Sequence, residues 1–354
     1  MSGSDSSSPR RKLSLSLFPR AVASILYGLG ARIHRSQARF TRASRGRPAC
    51  AVLSVGGLTV GGAGKTPVAA ALARALRLRG HRVVLASRGY RGRTRNRVTV
   101  VSDGRRIHSA VATSGDESLV LAAHAPGVPV LVGRDRRMVG HHAVSMFDAQ
   151  ILILDDGFQH HRLARDLDLV CMDGAAGFGN RHVVPWGPLR EPLSALRHAD
   201  WLCVVDGGED EKESKLVERF VADGGRILRA WRRPSEIISL DQSMRQSTES
   251  LAGRSVGLLA GVGRPGSVRR SLEQLGAKVV AERLFPDHHA YREADFGSLD
   301  PNVPEWITTE KDALKILPKW IGAAKMSVLR IEVEFEQEDE ALDSIESALF
   351  DSRR

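Results

Sequence analysis

The sequence is short of cysteine, of aromatic side chains and of long apolar runs, and each shortage excludes a class of protein. Its 354 residues contain three cysteines at wide spacing, which excludes a disulfide framework and a thiolate metal site. Aromatic residues make up 5% of the chain, so few rings are present to stack on nucleic-acid bases. The apolar stretch near the N-terminus is short and carries arginines, which argues against a membrane-spanning helix. The remaining composition is that of a folded globular protein.

Positive charge is in excess, and most of it lies near the N-terminus. The formal net charge is +11, and residues 1–50 contain ten Lys or Arg against one acid. We predict that residues 1–46 form a Ser-rich disordered start and then a basic amphipathic helix, whose apolar face includes Phe18, Ile25 and Ile33. Such a helix suits an anionic membrane surface, and packing on the protein's own core is the alternative. No nucleic-acid reading motif accompanies the charge, so we expect no nucleic-acid partner.

From residue 47 onwards, apolar strands alternate with helices. Continuous apolar runs such as "AVLSV" and "AQILILDDG" are typical of buried parallel strands, and "PVAAALARALRLRG" is typical of a helix that ends at a glycine. We therefore predict an α/β fold with a mostly parallel sheet and helices on both faces for residues 47–235. A polar segment, "LDQSMRQSTESLAGR", then precedes further strand and helix patterns. Residues 236–354 are predicted to form a second, smaller α/β domain.

The most informative stretch is "GGLTVGGAGKTP", residues 56–67, which follows the strand "AVLSV" and opens into a helix. Glycine-rich backbone at the start of a helix presents N–H groups to phosphate oxygens, a lysine reaches the β- and γ-phosphates, and a Thr hydroxyl binds Mg²⁺. The strict phosphate-loop pattern has glycine where this chain has Thr59. A glycine-rich turn that only caps a helix is the alternative. The predicted phosphate-binding residues are Thr59, Val60, Gly61, Gly62, Ala63, Gly64, Lys65 and Thr66.

Acidic residues follow two further elements. Asp155 and Asp156 end the strand "ILIL", and a carboxylate at that place in a phosphate-loop fold usually holds Mg²⁺. A polar strand-to-turn cap is the alternative, and either of the two carboxylates is a candidate ligand. Asp116 in "SGDES" opens a helix, and its position alone favours an N-cap.

Taken together, the motifs resemble those of the tetraacyldisaccharide 4′-kinases. They run in that family's order as "LTVGGAGKTP", "SRGYRG", "GDES", "LDDGFQHHRLARDLDLV", "FGN", "PWGPLREP", "PDHHAY" and "TTEKDA". The resemblance implies that ATP phosphorylates the 4′-hydroxyl of a tetraacylated glucosamine disaccharide 1-phosphate in lipid A biosynthesis. It also implies a peripheral enzyme at the cytoplasmic face of the bacterial inner membrane. Gly57 stands where we expect asparagine in the family.

The same resemblance implies roles for individual side chains. Asp116 becomes the general base for the sugar hydroxyl, aided by His288, since a carboxylate–histidine pair can accept a proton while it stays oriented. Gln159 becomes a phosphate or substrate contact, and Glu191 orders Mg²⁺ or water, with a structural role as the alternative for both. Arg134 and Arg136 are candidate phosphate contacts because guanidinium groups match such oxygens, with solvated surface arginines as the alternative. The implied catalytic residues are Asp116, His288 and Lys65, and the implied Mg²⁺ ligands are Thr66, Asp155, Asp156 and Glu191.

Two other features admit different interpretations. "GVGRPG", residues 261–266, has the outline of a dinucleotide fingerprint with Glu282 ending the next strand, but we interpret it as a tight turn. "TTEKDA" contains Glu310, Lys311 and Asp312, for which the residues alone predict no role. The alternative function is a membrane-associated P-loop ATPase or GTPase switch without a lipid acceptor. The sequence indicates neither an acyl-chain preference nor an oligomeric state.

Overall fold

The computed structural model describes residues 23–24, 27–31, 33, 46–89, 92, 96–207, 211–287, 289–297 and 299–351. The first part of the chain alternates strands and helices as its apolar runs predict. Its strands are β1 Ala51–Gly57, β2 Val83–Ser87, β3 Thr99–Asp103, β4 Pro129–Val132, β5 Ile151–Asp155, β6 Leu167–Asp173 and β7 Trp201–Val205. Its helices are α1 Lys65–Leu78, α2 Val111–Ser114, α3 Asp116–His124, α4 Arg136–Phe147 and α5 Glu211–Ala222.

The remaining elements begin with a long strand and end with a helix. The strands are β8 Arg226–Ser239, β9 Arg245–Ser247, β10 Ser255–Ala260, β11 Lys278–Leu284, β12 Trp306–Thr309 and β13 Met326–Phe335. The helices are α6 Pro265–Gln274, α7 Glu310–Ala313 and α8 Glu338–Asp351.

All of these strands belong to one mixed sheet. Their order is β11-β10-β12-β13-β8-β7-β6-β1-β5-β2-β4-β3, with β9 on β8. Neighbouring strands are parallel from β4 to β8 and again from β13 to β11, whereas β3 runs antiparallel to β4 and β13 antiparallel to β8. The predicted α/β fold with a mostly parallel sheet is confirmed.

Helices cover both faces of the sheet because successive side chains of a strand point to opposite sides. On one face, Leu53 and Leu85 pack in a core with α1, α3 and α8. On the other face, Val52 packs in a core with α4, and the cores around β6 and β7 include residues of α5. The C-terminal helix α8 thus packs on the core of the first part of the chain, to which Leu342, Ile345 and Leu349 contribute.

The long strand β8 determines how the two halves of the sheet face each other. Residues Arg226–Ala230 of β8 pair in parallel with β7, and residues Ala230–Ser239 pair antiparallel with β13. Because of this offset and reversal, the carboxyl ends of β10 and β12 point towards the carboxyl ends of β1, β5 and β6. Loops from both halves therefore meet at one place. β8 also crosses the predicted boundary at residues 235/236, and the division into two domains stays a prediction.

Part of the N-terminal helix is described, and it contacts the body of the protein. The Ser24 Oγ donates a hydrogen bond to the carbonyl of Val183 at 2.7 Å, and Gly28 lies against the same residue. Tyr27, Leu29 and Ile33 are about half exposed. The predicted apolar positions Phe18 and Ile25 lie outside the described residues. In the part of the chain that the structure describes, no helix has the length and apolarity to cross a membrane.

Candidate active site

The phosphate loop has the backbone that its glycines predict. Gly61, Gly62 and Gly64 have φ angles of +74°, +60° and +74°, a region that favours glycine. A Cβ on Gly64 would also lie 3.1 Å from the Val205 side chain. Helix α1 begins directly afterwards, so the loop places backbone N–H groups at the positive end of the helix dipole.

Thr59, which departs from the strict phosphate-loop pattern, pairs through its backbone with the "GPLRE" segment. It forms an isolated antiparallel bridge with Leu189, and the next amide, that of Val60, donates to the carbonyl of Pro188 at 2.8 Å. Glycine is therefore not required at position 59. This contact also brings "GPLRE", with Arg190 and Glu191, next to the phosphate loop.

Lys65 and Arg190 both form ion pairs with Asp156. The Lys65 Nζ is 3.6 Å from Asp156 Oδ1, and Arg190 Nη1 donates to Asp156 Oδ2 at 2.6 Å. Burial opposes ionisation of Asp156, but Lys65 and Arg190 outweigh it and hold the pKa of this carboxyl below its ordinary value. A Cβ built on Gly57 would lie 3.1 Å from the Lys65 Cδ, so glycine at position 57 leaves room for the lysine stem.

Asp155 is the carboxylate that contacts the threonine of the loop. The Thr66 Oγ1 donates to Asp155 Oδ2 at 3.1 Å, and Asp155 is 1% exposed. Burial, reinforced by the charges of Glu117 and Asp156, raises the pKa of Asp155 to about 7, against the opposing effect of Lys65. The positive charge and hydrogen bonds near this buried carboxyl do not offset the cost of ionising it, so a bound cation would stabilise its charged form.

Asp116 lies at the start of α3, close to a lysine from the second half of the sheet. Gly115 occupies the N-cap, so Asp116 is the first helical residue and not the cap itself. Its side chain is buried, its Oδ1 accepts from the Glu117 amide at 3.0 Å, and its Oδ2 lies 3.7 Å from Lys315 Nζ. The predicted partner His288 lies outside the described residues.

The other predicted residues differ in their surroundings. Gln159 donates from Nε2 to the carbonyl of Gly57 at 3.0 Å, next to the phosphate loop. Glu191 is buried, and Arg134 is exposed. Arg136 is 3% exposed and donates to the carbonyls of Ser87 and Gly133, where it joins the ends of two strands. Burial lowers the pKa of Arg136 to about 10. A substrate role for Arg134 or Arg136 stays a prediction.

The "GVGRPG" turn also reaches this place, which its sequence alone does not indicate. Arg264 Nη1 lies 2.9 Å from Asp173 Oδ2 at the end of β6, and its Cζ would lie 3.5 Å from a Cβ built on Gly62. Sequence reasoning missed Arg190, Arg264 and Lys315 as site residues. For Arg190 a signal existed, since it stands beside the predicted ligand Glu191. For Arg264 and Lys315 the contact depends on the facing strand ends.

A glycine-rich loop between a parallel strand and a helix, with a lysine, a threonine and a buried carboxylate at its mouth, defines a P-loop nucleotide-binding protein. A further acid, Asp116, begins helix α3, and the neighbouring Glu117 lies close enough to Asp155 for its charge to help raise the pKa of that carboxyl.

Comparisons with known proteins identify the particular family. A family model for tetraacyldisaccharide-1-P 4′-kinase matches residues 17–349. The tetraacyldisaccharide 4′-kinase of Anaeromyxobacter sp. (strain Fw109-5) is 39% identical over 341 residues, which cover 94% of this chain and 92% of that protein. The tetraacyldisaccharide 4′-kinase of Syntrophus aciditrophicus (strain SB) is 39% identical, with 80% of each chain covered. This chain belongs to the tetraacyldisaccharide 4′-kinase family, and the resemblance found in its motifs is confirmed.

A solved structure agrees with this assignment. The crystal structure of LpxK from Aquifex aeolicus, an "apo" form in complex with ATP, superposes with a TM-score of 0.76 at 28% identity. The match covers 95% of this chain and 99% of the Aquifex chain. The similarity thus extends over both halves of the sheet.

Proposed function

We propose that this chain transfers the γ-phosphoryl group of ATP to the 4′-hydroxyl of a tetraacylated glucosamine disaccharide 1-phosphate, in the synthesis of lipid A. The observation that carries the proposal is the P-loop, with Lys65 and the Thr66–Asp155 pair at its mouth, in a chain that matches the kinase family over residues 17–349. The reaction is that of a phosphotransferase with an alcohol acceptor.

The phosphate loop is the proposed ATP site. The backbone amides of the loop glycines and the N-terminus of α1 would bind the β- and γ-phosphates, and the Lys65 ammonium would lie beside the transferred group. Lys65 Nζ is 3.6 Å from Asp156 in the described structure, so it is already held near the loop mouth by an ion pair. Catalysis would come mainly from alignment and from fixed positive charge.

The residues at the loop mouth fit Mg²⁺. They are oxygen donors, as Mg²⁺ prefers, and Mg²⁺ in phosphate sites usually takes one or two carboxylates and keeps several waters. Among the described residues no group of three His, Cys, Asp or Glu side chains could hold a metal alone, so phosphate oxygens would complete the site. We assign Thr66 and Asp155 as the nearest ligands, with Asp156 and Glu191 around them. When bound there, Mg²⁺ would neutralise charge on the β- and γ-phosphates.

Asp116 is the proposed general base. It would accept the proton of the 4′-hydroxyl as the sugar oxygen forms its bond to the γ-phosphorus and the bond to the ADP oxygen breaks. Its burial and its place at the edge that carries the phosphate loop support this role. His288 is the proposed partner of Asp116, as the family resemblance implies. Gln159, which binds the Gly57 carbonyl, would position the phosphate or the acceptor.

The acceptor is a lipid, so we propose that the protein works as a peripheral enzyme on an anionic membrane surface at the cytoplasmic face. Half-exposed apolar side chains on the N-terminal helix, Tyr27, Leu29 and Ile33, support this location, as does the basic composition of residues 1–50. Ser24 and Gly28 contact the body of the protein, so the helix would lie between the body and the headgroups.

One reaction tests the proposal. Purified protein is incubated with ATP, Mg²⁺ and the disaccharide 1-phosphate lipid in detergent micelles, and products are followed by mass spectrometry. We expect a bisphosphorylated lipid and one ADP for each lipid converted, with neither formed by the Lys65→Met variant. ATP or GTP hydrolysis at the same rate with and without lipid, and no lipid product, would instead favour the nucleotide-switch alternative.

A further inference from the structure

The "TTEKDA" segment, for which the sequence alone predicts no role, contains a fully buried acid. Asp312 is 0% exposed, and its Oδ2 accepts hydrogen bonds from the Gly261 amide at 2.9 Å and from the Thr309 hydroxyl at 2.8 Å. Its Oδ1 lies 3.5 Å from the Lys315 ammonium. Asp312 therefore fixes both the start of the "GVGRPG" turn and the lysine one helical turn after it.

Lys315 is a nearly buried cation between two acids from different parts of the chain. Its side chain is 12% exposed, with Asp312 Oδ1 at 3.5 Å and Asp116 Oδ2 at 3.7 Å. The ammonium also lies 5.8 Å from the centre of the Tyr291 ring. Since a buried charge is costly unless it is paired, the lysine and the two carboxylates stabilise one another. The contact with Asp116 joins the proposed base to the second half of the sheet.

The same segment also holds the opposite end of helix α3. Glu310 Oε1 lies 2.8 Å from the ring nitrogen Nε2 of His124, the last residue of α3. Arg330 Nη2 donates to the carbonyl of Ala123 at 3.2 Å. Helix α3 is thus contacted at its first residue by Lys315 and at its last turn by Glu310 and Arg330. A short helix fixed at both ends has little freedom to shift Asp116.

We propose that Lys315 is a positioning residue for the phosphoryl transfer: its ammonium, held by Asp312, supplies the counter-charge of Asp116 and fixes that carboxylate where it accepts the sugar proton. The inference rests on the proposed function and deepens it, because it assigns to "TTEKDA" the task of holding the base. Lys315 itself touches neither the nucleotide loop nor its lysine in the described residues, so its effect would pass through Asp116.

Steady-state kinetics of three variants test this role. Lys315→Met keeps the length of the side chain and removes its charge, Lys315→Arg keeps the charge, and Lys319→Met removes an exposed lysine nearby as the matched control. We expect Lys315→Met to lower kcat about 10- to 100-fold, less than the ~10²–10⁴-fold typical for loss of a general base. The KM values for ATP and lipid should stay within about twofold, as for an effect on the transition state alone. Lys315→Arg should recover part of the loss, and the control should match the wild type.

A double-mutant cycle with Asp116→Asn separates positioning from a general structural role. If Lys315 acts through Asp116, adding Lys315→Met to Asp116→Asn should lower kcat by less than about twofold further. Thermal unfolding and binding of a fluorescent ATP analogue verify that each variant folds. The double variant removes one of the two charges that Lys315 pairs with, so it is compared with Asp116→Asn alone if Lys315→Met fails to fold. A further loss of kcat above about twofold on that background would then overturn the inference.

Three outcomes overturn the inference: an unchanged kcat in Lys315→Met, a loss in KM alone, or the same fold-loss on the wild-type and Asp116→Asn backgrounds. A wild-type protein that forms no bisphosphorylated lipid would contradict the proposed function itself. A wild type that is active, with Lys315→Met equally active, would contradict only the role of Lys315.

Discussion

Replacing Asp155 by asparagine should stabilise the metal-free protein while it abolishes phosphoryl transfer. The carboxyl is buried, and its pKa is raised from 3.8 to about 7. The folded protein thus binds this proton more tightly than the unfolded chain does. Stability from this group is present at low pH and is lost as the pH rises from about 4 to 7. Asparagine has nearly the same shape, can still accept the Thr66 hydrogen bond and carries no charge.

The size of the effect follows from the pKa difference. Each pKa unit corresponds to about 1.4 kcal/mol, so the ionised Asp155 lowers the free energy of unfolding by about 4 kcal/mol above pH 8. Between pH 6 and pH 8.5 the same linkage predicts a loss of about 1.4 kcal/mol in the wild type that is absent in Asp155→Asn. At pH 8.5 in EDTA, the variant should therefore be more stable than the wild type by as much as about 4 kcal/mol.

Urea unfolding at pH 6 and pH 8.5, with EDTA present, measures this difference. Asp148→Asn is the matched control, because it removes one carboxylate at an exposed position that follows helix α4. The lipid kinase assay on the same samples should show no product for Asp155→Asn. An Asp155→Asn variant that is less stable than the wild type at pH 8.5, with an equal slope against pH, would refute the reasoning.

Three further predictions concern other residues near the site. Lys65→Met should lose lipid phosphorylation by at least about 10³-fold with an unchanged circular dichroism spectrum, and retained activity would contradict the loop assignment. Arg264→Ala should raise the KM for ATP several-fold, because the guanidinium lies beside Gly62, while the KM for lipid stays constant in steady-state assays. Burial lowers the pKa of His160 to about 4, so folding loses stability as the pH falls below about 6.5. Between pH 8 and pH 5 this effect lowers the free energy of unfolding of the wild type by at most about 2 kcal/mol, and His160→Gln should abolish that part of the decrease. Urea unfolding at the two pH values measures it, and an equal decrease in the variant would contradict the prediction.

Sequence patterns predicted the first half of the sheet well because its signals are local. The apolar runs at β1 and β5 are continuous, and the glycines of residues 61–64 stand where positive φ angles are needed. The glycine-rich loop and the acids that end β5 could therefore be placed on their elements from the sequence alone. The direct contact of Asp155, rather than Asp156, with Thr66 could not, since it depends on the turn at Asp156.

The C-terminal strand was missed because charge hides its pattern, and the C-terminal helix was missed although its pattern can be read. Strand β13, "MSVLRIEVEF", alternates acids with apolar residues in its second half, and the chain there is conspicuous mainly as an acidic tail. Its pairing with β8 joins segments almost a hundred residues apart. Helix α8 did carry a readable signal, since Leu342, Ile345 and Leu349 repeat at helical spacing and are all buried.

The approach of Lys315 to Asp116 has no counterpart in any spacing along the chain. The two residues come from elements that meet only because the strands after β8 reverse direction. A lysine three residues after an acid is ordinary on a helix surface. Its function follows from a partner that is remote in sequence, and such a partner becomes visible only once the topology is known.

The part of β8 that extends beyond β7 sets the distance between the two sheet edges whose loops meet at the site. Residues 231–239 extend past the last pair with β7, and each residue of a strand adds about 3.3 Å. Shortening this stretch by two residues would move the edges about 7 Å relative to each other. It would also displace Arg232, which donates to the same Asp173 carboxylate as Arg264. Shortening the stretch by one would also turn its side chains to the opposite faces of the sheet. Insertions and deletions in this strand therefore change the separation of the two edges, and an odd number of residues also reverses which side chains face each side of the sheet. These constraints apply even if no residue of the strand binds a substrate.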